Sequence, residues 1–347
     1  METVWFAIVS GMLATYAVLD GFDFGVGILQ RLVARTDDER RTVLAAIGPV
    51  WDGNEVWLIA AGGVLFMAFP RVYATAFSGF YMALMIVLWL LILRGVAIEY
   101  RSHQENPLWR EFWDSVFSIA SALLAVTFGA TIGNLVRGVP VAEDGLRAMP
   151  LFTDFRTGPR PGILDWYTIL TGLLTLTALA GHGALYLAWR TRGAIRDRSL
   201  ALAGPIWTAT LVLWAVATAA TAWVRPGVLS GFASRPWNLA FVVPSIVGAW
   251  GVFSHPKKGH DLAAFLSSSA FLFGLVATAQ AGNYPYWLRS SLDPSLGLTA
   301  SNSAAARYGL GIALAWWGLG IVLVAAYFAN LFRSMRGKLE TSPGDSY

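Results

Sequence analysis

The sequence contains no cysteine. That excludes thiolate chemistry, iron–sulfur clusters and cysteine-ligated zinc or haem. Charge is scarce as well: 13% of the residues are Asp, Glu, Lys or Arg, where soluble domains carry about 25%. There are only four histidines, His103, His182, His255 and His260. There is no Walker A sequence, no Gly-x-Gly-x-x-Gly placed after a strand and no zinc spacing. The opening Met1-Glu2-Thr3-Val4-Trp5-Phe6 lacks the basic n-region of a signal peptide, and the apolar run after it is too long for one. A retained first helix is expected.

Apolar residues fill the space instead. Of 347 residues 56% are hydrophobic, with 16 Trp and 35 Gly, and the mean hydropathy is +0.56. This is the composition of an all-α integral membrane protein, in which Trp marks interfaces and Gly lets helices pack closely. At about 20 apolar residues per span, nine transmembrane helices are expected, over residues 4–30, 50–69, 75–97, 113–136, 163–189, 200–223, 237–254, 261–282 and 308–332. Trp5, Trp113, Trp166, Trp189, Trp223 and Trp237 fall at their ends, and Pro70 closes the second. An N-out, C-in orientation places sixteen of the 25 Lys and Arg on the cytoplasmic side, as the positive-inside rule requires. The net charge of +4 therefore reports topology and not a nucleic-acid partner. The polar end of the chain, residues 334–347, reads as a disordered cytoplasmic tail.

A faint internal repeat divides the spans. Gly48-Pro49-Val50-Trp51 opens the second and Gly204-Pro205-Ile206-Trp207 the sixth; Gly133-Asn134 ends the fourth and Gly282-Asn283 the eighth. Gly-flanked polar residues recur in the first (Gly21, Asp23, Gly25) and fifth (Gly181, His182, Gly183). An offset of four spans keeps orientation, so two four-helix units, 1–136 and 163–282, are expected in pseudo-twofold relation about the membrane normal. A ninth, peripheral helix at 308–333 is left over. In the second copy Thr208 and Leu211 stand where the first has Asp52 and Glu55. The scaffold does not need those carboxylates, which argues that they are functional.

Charge at membrane depth costs roughly 2.5–3.5 kcal/mol per residue. Val4 to Leu19 provides only 16 uncharged residues, about 24 Å of helix against a core of about 30 Å. Asp20 is therefore drawn into the membrane, with Asp23 one turn on. The second span likewise takes in Glu55 and Asp52. Asp23 and Glu55 are expected at similar depth on antiparallel neighbours, with Arg94 and Asp114 completing one polar cluster on the cytoplasmic side. Such acids either pair with arginines and cap the bundle or form a relay that admits protons. Gly21 and Gly25 have the spacing of a close helix crossing. His182, the one histidine inside a span, reads as a hydrogen-bonded packing residue, and the other three as solvated loop residues. Met12, Met67, Met82 and Met85 read as lipid-facing or core residues. Several haems need several intramembrane axial ligands, commonly His, so no metal, haem or other redox cofactor is expected on this chain.

The segments Asp20-Gly-Phe-Asp-Phe-Gly-Val-Gly27 and Gly48-Pro-Val-Trp-Asp-Gly-Asn-Glu-Val-Trp-Leu-Ile59 resemble the signature segments of subunit II of cytochrome bd-type quinol oxidases, the cyanide-insensitive oxidases included. Phe77-Ser-Gly-Phe-Tyr-Met-Ala-Leu84 and Gly133-Asn-Leu-Val-Arg-Gly-Val-Pro140 add to the resemblance. It covers the first half in motifs and the second mainly in helix number. The resemblance implies the smaller subunit of a terminal oxidase in the bacterial cytoplasmic membrane. The complex oxidises a quinol and reduces oxygen to water with cytoplasmic protons. It implies haem b and haem d in the partner, subunit I, together with small single-helix accessory subunits and bound lipid. It places Asp23 and Asp52 on a proton route with Trp51 beside it; Glu55 is weaker, since some members have Gln there. Two other readings remain, a purely structural assembly subunit and, from another class, a secondary transporter.

Overall fold

A computed structural model of the chain describes residues 1–335 and 337–341. The last six residues of the expected tail, 342–347, lie outside the described residues, as does Arg336. The element order is α1 (Glu2–Val33), α2 (Asp37–Ile47), α3 (Trp51–Ala68), α4 (Pro70–Gly79), α5 (Tyr81–Tyr100), α6 (Pro107–Arg137), α7 (Trp166–Arg190), α8 (Gly193–Val224), α9 (Gly227–Ser234), α10 (Leu239–Ser254), α11 (Asp261–Asn283) and α12 (Arg307–Ser334). A two-stranded antiparallel pair, β1 (Tyr286–Leu288) and β2 (Leu298–Thr299), lies between the last two helices.

Among the described residues eight helices are long and apolar enough to cross a membrane: α1, α5, α6, α7, α8, α10, α11 and α12. The second expected span, α3, is not one of them. It has 18 residues and carries Asp52, Asn54 and Glu55 in its first turns, which lowers its mean hydropathy. The third expected span divides. α3 ends at Ala68, just before Pro70 as expected, but Pro70 also occupies the first position of α4, which stops at Gly79, and α5 starts at Tyr81. Proline is well placed at a helix start, where its missing N–H has no intrahelical partner to lose. The sixth expected span starts earlier than its apolar run, so Gly204 and Pro205 lie inside α8 and do not open it. Pro244 is likewise interior to α10.

α1 is the central element and packs on α3, α6, α7 and α11. Its closest crossing is with α7. A Cβ on Gly25 would stand 2.6 Å from the Gly183 nitrogen, and one on Gly183 would stand 2.5 Å from Gly25 Cα. The two Gly-flanked segments singled out above thus pack against one another, backbone to backbone. At the Met1 end the loops are tied by backbone hydrogen bonds, Val139 N to Arg289 O (2.9 Å) and Ala305 N to Ala68 O (2.9 Å). A hydrophobic cluster with Trp5, Phe69, Trp287 and Leu310 lies beneath them. α12 buries only Leu310 and is held at its ends. Beyond its far end Arg190 Nη1 donates to Met335 O (2.5 Å) and Gly337 O (2.6 Å), and Lys338 Nζ to Asp261 Oδ2 (2.5 Å).

The opposite end carries α2, a helix the polar sequence 37–41 disguises as loop. Thr36 and Glu39 form a capping box there, which satisfies two of the amide donors a helix start leaves open. Arg198, from α8, donates to both oxygens of Glu39 (2.8 and 3.0 Å). Those bonds, helped by the Arg35 and Thr36 amides, hold the Glu39 carboxyl below the ordinary carboxylate range. Its folded-state value lies under its unfolded one, so the stabilisation is complete above about pH 4.3 and is lost as pH falls through the folded value. We expect α2 to stay docked from pH 5 to 8 and to loosen in stronger acid, read by hydrogen exchange over residues 36–47. Glu39→Gln should show the loosened exchange at neutral pH.

Candidate functional site

At the α2 end α1 brings two carboxylates, one turn apart on one face, between α5 and α3. Asp20 meets Arg94 of α5 as a fork: Nη1 to Oδ2 at 3.0 Å and Nη2 to Oδ1 at 2.5 Å. Both side chains are sealed, at 0% and 1% exposure, and the Arg94 guanidinium lies 4.3 Å from the centroid of the Phe24 ring. A planar guanidinium suits both contacts, bidentate to a carboxylate and face-on to an aromatic ring.

Asp23 faces α3 and is also wholly buried. Its Oδ2 accepts a hydrogen bond from Asn54 Nδ2 at 2.8 Å, and the same nitrogen donates to Leu19 O at 3.2 Å. Asp23 Oδ1 and Asn54 Oδ1 are buried and accept nothing from the described chain. Glu55 is half-buried and Asp52 is exposed. Asp20, Asp23 and Glu55 all act electrostatically on Arg94, so the three acids share one neighbourhood. Trp51 packs on α5, where a Cβ added to Gly95 would meet its ring at 3.5 Å. It walls a cavity of about 390 Å³ with Arg41, Gly48, Glu99 and His103.

Of the five singled-out residues, then, Asp20 and Asp23 are buried together, Glu55 lies at their edge, Trp51 lines the adjoining cavity and Asp52 sits on an outer face. Asp114 does not join Arg94 as expected. It forms a second cluster, bound by Arg101 Nε (2.6 Å), Arg40 Nη1 (2.9 Å) and Gln30 Nε2 (2.9 Å). Arg101 also reaches Asp37 of α2 at 2.8 Å. Arg94 of α5 and Arg101, just past its end, are seven residues apart, and each takes its own acid. Sequence reasoning passed over Asn54, although a lone amide between Asp52 and Glu55 on a short helix was signal enough. It also missed Gln30 and counted Arg101 only as a topology marker.

His182 is fully buried. Its Nδ1 is 2.7 Å from Ser268 Oγ and its Nε2 3.0 Å from Val18 O. With both nitrogens engaged it does not fit as a haem ligand, and no step is routed through a haem on this chain. His103 is exposed and stacks on Tyr100; His260 is exposed and His255 half-buried. Among the described residues no three His, Asp or Glu side chains gather so as to hold a metal ion.

A bundle of long apolar helices with a few buried acids among them is the class of a multi-pass membrane protein. Comparison with known proteins makes this specific. Residues 1–335 match the family described as cytochrome bd terminal oxidase subunit II, and the chain belongs to that family. It is 34% identical over 372 residues to the cytochrome bd-I ubiquinol oxidase subunit 2 of Escherichia coli strain K12, covering 98% of this chain and 95% of that one. It is 32% identical to the probable cytochrome oxidase subunit 2 of Haemophilus influenzae, over 99% and 96% of the two chains. With the cytochrome bd ubiquinol oxidase subunit 2 of Bacillus subtilis it shares 31% identity over 90% and 89%. A chain of the bd oxidase structure from Geobacillus thermodenitrificans shares the fold, with a TM-score of 0.69 at 17% identity and coverage of 96% and 97%. The protein is accordingly a multi-pass bacterial membrane protein.

Proposed function

We propose that this chain is the haem-free smaller subunit of a quinol:oxygen oxidoreductase, which stabilises the haem-bearing subunit I and admits cytoplasmic protons toward its oxygen-reducing haem. The carrying observation is Asp23: a carboxyl sealed from solvent, with one oxygen held by Asn54 and the other free of partners. It lies on the side of the bundle where the Trp51 cavity opens. Buried acids of this kind are the usual material of intramembrane relays. The route runs from the cavity past Trp51, Asp52 and Glu55 to Asp23. In this reading the α2 end is cytoplasmic, α3 with its polar first turns is the ninth span, and the Gly25–Gly183 crossing is the axis of the two four-helix units. Quinol, haem b and haem d belong to the complex and to its partner, and accessory single-helix subunits and lipid cover the remaining apolar faces.

The Asp20–Arg94 fork favours a second reading for that pair. Both oxygens of Asp20 are taken by Nη1 and Nη2 of Arg94, so Asp20 serves assembly and is not a relay member. Asp23→Asn in the assembled oxidase is expected to lower oxygen turnover roughly a hundredfold, within what losing a positioned proton-transfer group costs, while haem absorbance stays normal. Asp52→Asn should slow turnover less, because its exposed position lets water stand in. Unchanged turnover in both variants with full haem content would leave only the structural role.

A further inference from the structure

The proton route just proposed leaves open which atom of Asp23 carries the proton, and Asn54 answers it. The Leu19 carbonyl can only accept, and it lies 3.2 Å from Asn54 Nδ2. The amide is therefore oriented with its nitrogen toward Leu19 and Asp23; turned over, Asn54 Oδ1 would face two acceptors at once. Both hydrogens of the amide are then used, one on Leu19 O and one on Asp23 Oδ2. Oδ2 is fixed as an acceptor, while Oδ1 is buried, receives no donor from the described chain and belongs to the same carboxyl.

We propose that Asn54 is a positioning residue that assigns the exchangeable proton of Asp23 to Oδ1. On entry a hydrated proton gives up its hydrogen: the Oδ1–H bond forms as an O–H bond of the hydronium breaks. On exit that bond breaks toward water on the partner's side, and no electron changes hands. Throughout, Oδ2 keeps its bond to Asn54, so the carboxyl does not rotate and each transfer begins from the same geometry. The residue type is restrictive. Asp at 54 would set two carboxylates in contact, Leu would supply no donor, and Gln would displace its amide by one methylene from a nitrogen already bonded on two sides.

The inference rests on the proton-route reading, and the experiment separates the two. The assembled oxidase is studied in its membrane, with haem absorbance as the check on assembly. Asn54→Leu, which removes both donors at similar volume, should lower turnover about tenfold, the weight of one hydrogen bond to a charged acceptor, with the KM for quinol unchanged. In the infrared difference spectrum the carboxyl C=O band that Asp23→Asn deletes should move to higher wavenumber. If Asp23→Asn slows turnover but Asn54→Leu leaves both turnover and band in place, the assignment to Asn54 is wrong and the route stands. If Asp23→Asn itself turns over normally, the route fails and takes the assignment with it. Should Asn54→Leu assemble without haem, Asn54→Ser keeps a single donor and is read the same way: a displaced band supports the proposal, and an unmoved one overturns it.

Discussion

Arg94→Leu is expected to abolish accumulation of the assembled protein, with membrane haem absorbance falling to the background of a strain lacking the chain. Arg94 and Asp20 are sealed together, and removing the cation strands a carboxylate in the apolar interior. Breaking one side of such a pair costs about 3–5 kcal/mol, a large part of the roughly 5–15 kcal/mol that holds a domain folded. Arg94→Lys should fall between, since one ammonium cannot keep two bonds to Asp20 and the face contact with Phe24. The pair itself is replaceable. Asp20→Leu combined with Arg94→Leu removes both charges, and we expect it to recover most of the haem signal, because an apolar substitute for a buried ion pair is often neutral or better. The double variant also tests the division of labour among the acids. Normal turnover in it would show Asp20 to be structural, and a recovered haem signal without turnover would return Asp20 to the proton route.

The order and approximate bounds of most long helices were legible because an apolar run of membrane length has few other uses, whereas nine expected spans meet eight helices of that length and apolarity among the described residues. α1, α6, α7, α11 and α12 depart from expectation only by terminal turns, where polar residues continue a helix beyond its apolar part. Several of the failures share a cause: they depended on which polar partner a residue finds. α2 has a negative mean hydropathy and reads as loop, but its Thr36-x-x-Glu39 box and the reach of Arg198 make it a docked helix. Asp114 was assigned to Arg94 on depth alone. The depth was misjudged: Arg101, seven residues beyond Arg94 and just past the end of α5, is the arginine level with Asp114 and binds it. Asp20 and Asp23 were both recognised as buried acids, yet only the structure gives one a guanidinium fork and the other an amide. The repeat supplied a true contact, Gly25 on Gly183, from a pattern that had suggested only equivalence. Gly204-Pro205, by contrast, matched in sequence and lies inside a helix, since a proline that opens one membrane helix can be tolerated within another.

The other large effect is expected at that crossing. Gly183→Ala should prevent assembly as completely as Arg94→Leu, for a different reason. The added Cβ would stand 2.5 Å from Gly25 Cα and from Val26 N, where carbon neighbours rest at about 3.5–4.0 Å. The obstacle is backbone, so no rotamer change relieves it and α1 must move off α7 by an ångström or more. That shift reaches both sites: Asp23 is half a turn of helix from Gly25, and its bond to Asn54 and the Asp20–Arg94 fork each depend on where α1 lies. Overpacking alone costs about 1–3 kcal/mol, and here the loss of two buried polar contacts is added to it. Gly25→Ala meets the Leu179 carbonyl and the Gly183 backbone and should behave alike. Gly11→Ala, on the same helix, is the control. A Cβ there has nothing within 4 Å, and Ala is the better helix former by about 1 kcal/mol, so haem content and thermal stability should be unchanged or slightly raised. If Gly183→Ala assembles with a normal haem spectrum and normal melting, α1 and α7 do not cross at Gly25, and the placement of Asp20 and Asp23 between α5 and α3 would have to be redrawn.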